Sequence, residues 1–145
     1  MIGRILALDV GDRRIGVAVS DALGLTAQPV ATIERAGDRA AVARIAEIAR
    51  SYGATEIVVG IPYNARGGLT AQGEKIARFA ELIAREADVP VVRWDERHTS
   101  VTAERVLLQA DVSRAKRKRV RDELAAVVLL QDYMRARERK DDEAS

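Results

Sequence analysis

The chain has 145 residues, a length that fits one domain with a substantial hydrophobic core. It contains no cysteine and one histidine, which excludes disulfide bonds, thiolate zinc sites and histidine-rich metal sites and fits a reducing cytoplasm. With 24 basic and 22 acidic residues the net charge is only +2, so the overall charge indicates no class of partner. No apolar run approaches the roughly 20 residues of a membrane span, and the N-terminus lacks a signal-peptide cleavage site. We therefore expect a cytoplasmic protein with no membrane partner.

Five apolar segments predict β-strands. The first, residues 4–10, is apolar on both faces, as in a central strand that is covered on two sides. The short turn at 11–14 leads into the second strand, 15–20, so this pair is expected to be antiparallel. The remaining three strands are predicted at about 28–34, 56–61 and 89–95.

Four helices are predicted between and after these strands. The first covers about 38–52, with Asp38 as its N-cap and Gly53 as its stop signal. In the second, about 70–86, apolar residues recur at the i, i+3, i+4, i+7 spacing of a helix that faces a core. The last two are predicted at about 101–110 and from a start between 113 and 119 to about 137.

The predicted element order, βββαβαβαα, indicates an α/β domain with one five-stranded mixed sheet and helices on both faces. This is the element order of the ribonuclease-H-like fold. We expect residues 1–137 to form that single domain and residues 138–145 to be a polar, frayed tail.

Three carboxylates occupy positions where an acidic side chain is unusual. Asp9 ends the first buried strand, where ligands collect in an open α/β sheet, although a turn role is the alternative. At the end of the fifth strand, alternation places Glu96 on the face of Val92 and Asp95 on the opposite face, so either acid could be functional. Asp122 heads an apolar helical stripe, but the helix dipole also favours an acid near a helix start.

Together these positions predict a cluster of carboxylates at one edge of the sheet, formed by two strand ends and one helix start. Carboxylate oxygens favour hard cations such as Mg²⁺ or Mn²⁺. Such a cluster can hold two divalent ions, one that activates water and one that stabilises the leaving oxygen of a phosphodiester. The hypothesis at this point is a two-ion hydrolytic site.

Four segments in order, spanning residues 6–134, resemble motifs of the YqgF/RuvX family. They are LALDVGDRRIGVAVSD (6–21), IVVGIPYNARGG (57–68), DERHTSVTAERVL (95–107) and RDELAAVVLLQDYM (121–134). The resemblance implies a ribonuclease-H-like fold, metal-dependent cleavage of nucleic-acid phosphodiesters, and a role in 5′-end maturation of pre-16S ribosomal RNA. An older label for the family is Holliday-junction resolvase. By position, its acidic triad falls on Asp9, Glu96 and Asp122, which decides between Asp95 and Glu96.

The chain departs from these motifs at two places. His98 stands where leucine is common, and we interpret it as a partly exposed substitution and not as a catalytic group. Ala65 and Arg66 replace the more usual Met-Asp of the loop after the fourth strand, which makes this loop more basic.

A basic run, RAKRKRVR at 114–121, stands just before Asp122 and predicts a phosphate-binding segment. Cations at a helix N-terminus oppose the helix dipole, so they do not serve to stabilise the helix, although a solvated charge run is the common alternative. Aromatic residues make up only 3% of the chain, so we expect recognition of backbone and shape, with Tyr63 as the candidate for a base contact. The predicted nucleic-acid contacts are Arg13, Arg14, Tyr63, Asn64, Arg66, Arg97, Arg114, Lys116, Arg117, Lys118, Arg119 and Arg121.

The leading hypothesis is a Mg²⁺- or Mn²⁺-dependent nuclease that acts on pre-16S ribosomal RNA in the pre-ribosomal particle. A junction-resolving DNA endonuclease is the second hypothesis, and it requires a symmetric dimer. The third is a nucleic-acid-binding module that cuts nothing. The D-V-G turn also resembles the phosphate loop of actin-like ATPases and sugar kinases, but those chains have two such domains and 145 residues cannot form both. The sequence leaves open whether the protein is a monomer or a homodimer.

Overall fold

A single five-stranded mixed sheet organises the described part of the chain. The structure is a computed structural model that describes residues 3–96 and 114–144. In the second range it describes side chains for residues 120–138. The strand order is β3-β2-β1-β4-β5, antiparallel between β1, β2 and β3 and parallel from β1 through β4 to β5. The predicted five-stranded mixed sheet is confirmed. The strands are β1 (Arg4–Val10), β2 (Arg14–Ser20), β3 (Ala27–Glu34), β4 (Ala54–Ile61) and β5 (Val91–Asp95).

Helices cover both faces of this sheet, as predicted. Helices α1 (Asp38–Tyr52) and α2 (Ala71–Glu86) pack on one face, and α3 (Arg114–Ala144) packs on the other. The predicted helix at 101–110 lies outside the described residues. Within the described ranges, no helix is both long and apolar enough to cross a membrane.

The ends of two helices differ from the prediction. The N-cap of α1 is Gly37, with no side-chain hydrogen bond, so the prediction that Asp38 caps the helix is wrong. The Asp38 carboxylate instead accepts a hydrogen bond from Arg35 at 2.8 Å. At the other end Gly53 adopts a left-handed φ of 64° and ends the helix as predicted. Helix α3 continues to Ala144, beyond the predicted end near 137, because its last residues are mostly good helix formers.

Strand β1 lies at the centre of the sheet, and its side chains alternate between the two faces. Leu6 and Leu8 point into the core beneath α1 and α2. Ile5 and Ala7 point into the core beneath α3. The same alternation places the next residue of this second set, Asp9, on the α3 face near the carboxyl end of the strand.

Helix α3 is fixed to the sheet along much of its length. Ala126, Leu129 and Leu130 are buried against the small residues of β1, β2 and β4. Farther along, the Tyr133 hydroxyl donates a hydrogen bond to Glu56 of β4, and Arg137 forms an ion pair with the same carboxylate at 3.1 Å. This packing fixes where Asp122, which the helix places more than two turns after its first residue, meets the sheet.

Candidate active site

Two of the three predicted acids meet at the carboxyl end of the parallel strands. Asp9 of β1 and Glu96, directly after β5, share a side-chain hydrogen bond although β4 separates their strands. Gly60 of β4 provides the space between them, since a Cβ on this glycine would overlap both the Glu96 side chain and Leu129 of α3. The glycine therefore lets the glutamate lie across β4 and reach the aspartate.

The protonation of this pair follows from its surroundings. Burial raises the pKa of Asp9; the hydrogen bond from Glu96 lowers it, and the nearby charge of Asp122 raises it again. Burial, the charge of Asp9 and the hydrogen bond to it raise the pKa of Glu96 to about 7. The two carboxyl groups therefore titrate as a pair, and their surroundings favour one proton on the pair up to a pH of about 7.

The third predicted acid, Asp122, approaches Asp9 from helix α3. In the sheet Asp9 pairs with Gly16 of β2, and α3 passes directly over that glycine. A Cβ on Gly16 would overlap the carbonyl oxygen of Asp122. The absence of a side chain at Gly16 thus allows the helix backbone to lie on the sheet, close enough for the Asp122 charge to affect Asp9.

Asp122 itself forms an ion pair with Arg14, the first residue of β2. The Arg14 Nε atom lies 2.7 Å from Asp122 Oδ2, and the two side chains are 33% and 21% exposed. The structure therefore brings all three acids to one edge of the sheet, with Asp9 and Glu96 in direct contact and Asp122 held by a neighbouring guanidinium.

The turn that carries Arg14 is held by Arg35, which the sequence analysis did not single out. The backbone N–H of Arg35 donates to the Arg13 carbonyl at 2.8 Å, and its Nη1 donates to the Gly11 carbonyl at 2.9 Å. The guanidinium also lies 4.6 Å from the centre of the Phe79 ring. No sequence pattern marks Arg35, whereas Gly16 and Gly60 carried a recognisable signal, because a glycine inside a strand often marks a close approach.

Comparisons with known proteins place this fold and site in a family. A family model described as RuvX, Holliday junction resolvase, matches residues 3–136. The chain belongs to the RuvX family. It is 52% identical to a protein of Clostridioides difficile, over 91% of this chain and 94% of that protein. A protein of Thermoanaerobacter pseudethanolicus is 47% identical, over 94% of this chain and 99% of that protein. Both relatives bear the name "Putative pre-16S rRNA nuclease".

Solved structures show the same fold as this RuvX chain at low sequence identity. RuvC of Thermus thermophilus in complex with a Holliday junction substrate has a TM-score of 0.59 and 17% identity, over 92% of this chain and 96% of that one. The Fowlpox virus resolvase in complex with Holliday junction DNA has a TM-score of 0.55 and 12% identity, over 92% and 97%. The predicted ribonuclease-H-like fold is confirmed.

The predicted nucleic-acid contacts of the RuvX chain fall into four groups. Arg13 and Arg14 lie in the turn beside the acids, and Arg121 is exposed on α3 next to Asp122. Arg97, together with His98, lies outside the described residues. The other basic residues, Arg114, Lys116, Arg117, Lys118 and Arg119, lie in the first turns of α3, where the structure describes only the backbone.

The loop after β4 contains the last three predicted contacts, Tyr63, Asn64 and Arg66. The Asn64 side-chain oxygen accepts the backbone N–H groups of Arg66 and Gly68, at 2.9 and 3.0 Å, so this side chain shapes the loop. Tyr63 packs, partly buried, against the core beneath α1 and α2. Arg66 is exposed at the tip of the loop. A contact of any of the three with nucleic acid stays a prediction.

The acids of the RuvX chain fit a hard divalent cation in their chemistry and, in part, in their placement. Asp9 and Glu96 converge and offer only carboxylate oxygens. Within residues 3–96 and the described part of α3, however, no group of three or more acidic or histidine side chains is arranged to hold a metal ion. The Asp122 carboxylate is paired with Arg14. Two predicted ligands are thus in position, and the third would have to exchange the guanidinium for an ion.

Proposed function

We propose that this RuvX protein is a metal-dependent nuclease, with Asp9, Glu96 and Asp122 as its catalytic carboxylates. The contact between Asp9 and Glu96 is the observation that carries the proposal. Two partly buried carboxyl groups in contact repel each other when both are ionised, and only a proton or a cation relieves that repulsion. An arrangement that destabilises the fold is expected where it serves a reaction.

The reaction that we propose is hydrolysis of a nucleic-acid phosphodiester. Bound Mg²⁺ or Mn²⁺ ions, up to two, would activate a water molecule and stabilise the leaving oxygen. Asp9 and Glu96 would supply oxygen ligands once the proton on Glu96 is released, and Asp122 would complete the set. Arg13, exposed in the adjacent turn, would bind a backbone phosphate near the bond that is cut.

We propose RNA as the substrate, and 5′-end maturation of pre-16S ribosomal RNA in the pre-ribosomal particle as the role. The names of the relatives support this choice. The basic start of α3, which leads directly to Asp122, supports binding along a polynucleotide backbone. Such a role would place the protein in the cytoplasm.

The second candidate is cleavage of DNA junctions. It is favoured by the description of the RuvX family model and by the two resolvases that share the fold. Two opposed strands must be cut in that reaction, so it requires a symmetric dimer with two active sites. A protein that is monomeric at assay concentrations and cuts RNA would decide against this candidate.

A cleavage assay with four matched substrates tests both candidates. The substrates are RNA with the pre-16S 5′ sequence, a scrambled RNA, single-stranded DNA and a four-way DNA junction, each with Mg²⁺, Mn²⁺ or EDTA. We expect the pre-16S RNA to be cut with Mg²⁺ or Mn²⁺, not in EDTA, and not by Asp9→Asn. Asp12→Asn is the matched control, since Asp12 is an exposed acid in the next turn. Equal cleavage by wild type and Asp9→Asn in a contaminant-free preparation would refute the proposed site.

A further inference from the structure

The ion pair between Arg14 and Asp122 is held from both sides by fixed backbone. Arg14 begins β2, where it pairs with Glu34 of β3, and its carbonyl accepts the Gly11 N–H at 2.8 Å. Asp122 lies where the backbone of α3 touches Gly16. Both side chains therefore project from fixed backbone, so the pair forms without reorganisation of the main chain.

Other acids lie close to this pair, along with the exposed cations Arg13 and Arg121. Asp122 lies over Gly16, the β2 partner of Asp9, and Asp9 in turn contacts Glu96. Glu123, the next residue of α3, accepts a hydrogen bond from Thr32 of β3 at 3.4 Å. Arg14 therefore brings a positive charge into a group of acids at the position where a bound cation would bring one.

We propose that Arg14 is a positioning residue that serves as the internal counter-ion of Asp122 until a divalent cation takes its place. The inference rests on the proposed function, because it takes the three acids as the cation site. The guanidinium and the ion compete for the same carboxylate, so Arg14 weakens cation binding. It also keeps Asp122 in place when no ion is bound, which avoids the repulsion between Asp122 and Asp9.

This proposal predicts opposite effects of Arg14→Gln on cation affinity and on the stability of the metal-free protein. Without the guanidinium the ion no longer has to break an ion pair, so Mn²⁺ should bind roughly three- to ten-fold more tightly. In EDTA the variant should unfold at a lower temperature than wild type, because Asp122 faces Asp9 without a counter-ion. Addition of Mn²⁺ should then raise its melting temperature more than it raises that of wild type.

The test is calorimetric titration of Mn²⁺ into the full chain, without nucleic acid, together with melting curves in EDTA and in Mn²⁺. Arg13→Gln is the matched control, since it removes the same charge from the same turn but leaves the pair between Arg14 and Asp122 intact. Arg14→Lys keeps the charge without the Nε donor and should fall between wild type and Arg14→Gln. It also provides a measurement if the glutamine variant does not fold.

The outcomes separate this inference from the proposed function. If wild type binds Mn²⁺ and Asp9→Asn does not, the cation site is supported. If Arg14→Gln then binds Mn²⁺ no more tightly than Arg13→Gln, the role of Arg14 is refuted and the cation site is kept. If wild type binds no Mn²⁺, or Asp9→Asn binds it equally well, both the cation site and the role of Arg14 are refuted.

Discussion

The sheet face beneath α1 and α2 is packed mostly with large apolar side chains, whereas the face beneath α3 combines large side chains with several small residues of the sheet. Phe79, Ile45 and Ile83 are fully buried on the first face. On the second face Ala7, Ala18 and Ala126 fill the centre, and Gly16 and Gly60 lie at its carboxyl-terminal edge. Large side chains maximise the apolar area that is removed from water. Small ones let a helix backbone approach closely, and at this edge they leave space for three carboxylates. The first face thus contributes apolar burial, and the second combines apolar burial with the candidate site.

Removal of one acid should have the largest effect, because it should lower the cleavage rate without lowering the stability. We expect Asp9→Asn or Glu96→Gln to lower the cleavage rate by at least about 100-fold, because a carboxylate that we propose as a cation ligand is lost. The melting temperature should stay the same or rise, since each change also removes a partly buried charge. Initial cleavage rates and calorimetric melting curves measure the two effects. A fall in melting temperature that matches the loss of rate would show that the acids support the fold.

A cavity on the opposite face should have the reverse effect. We expect Ile83→Ala to lower the free energy of unfolding by roughly 2–5 kcal/mol, the usual cost of this truncation in a core. The cleavage rate per folded molecule should stay at the wild-type value, because Ile83 lies in the core on the other side of the sheet from the acids. Urea unfolding and a cleavage assay at low temperature measure both quantities. Leu129→Ala is the matched change beneath α3, and it should reduce both stability and rate because Leu129 packs at Gly60 beside Glu96.

Filling the space between Gly16 and α3 should moderately lower both the stability and the cleavage rate. We expect Gly16→Ala to cost about 1–3 kcal/mol of stability, since its Cβ would overlap the Asp122 carbonyl and move the helix. Cleavage should fall as well, because Asp122 moves with the helix backbone. Gly37→Ser is the control: nothing lies within 4 Å of a Cβ at Gly37, and serine is a favoured N-cap. Urea unfolding and cleavage rates of the two variants test this prediction. Equal stability of Gly16→Ala and Gly37→Ser would contradict the close contact between Gly16 and α3.

The smallest effect concerns Asp21, a carboxylate outside both faces whose pKa is shifted in the opposite direction to that of Asp9. Hydrogen bonds from the backbone N–H groups of Thr26 and Leu25 lower the pKa of Asp21, whereas burial raises that of Asp9. A lowered folded-state pKa adds stability above the ordinary value of 3.8, and this stability is lost as the pH falls through the folded-state value. Asp21→Ala should therefore be less stable than wild type at neutral pH, and the difference should narrow in acid. Melting curves from pH 7 to pH 2 test this sign.

Local pattern was sufficient for most of the fold. The apolar run of β1 and the helical stripes of α1 and α2 predicted the elements and the faces that they bury, because burial depends on residue periodicity. In β5, the alternation of side chains predicted that Val92, Trp94 and Glu96 share one face, which is the face that α3 covers. The prediction failed at the ends of elements, where Gly37 and not Asp38 caps α1. The position of an N-cap depends on the backbone angles of the residues before the helix. Because many sequences can adopt these angles, the residue types alone do not identify the cap.

The sequence by itself determined that Asp9 lies at a central strand end and, through four motifs, that Glu96 and Asp122 belong with it. The tertiary structure decided how the three meet. The contact between Asp9 and Glu96 depends on Gly60, which lies in the strand between theirs. The pairing of Asp122 with Arg14 joins residues that are 108 positions apart in the chain. Local pattern records which face a residue occupies, but the charges that share that face come from distant segments, and these charges set protonation and cation affinity.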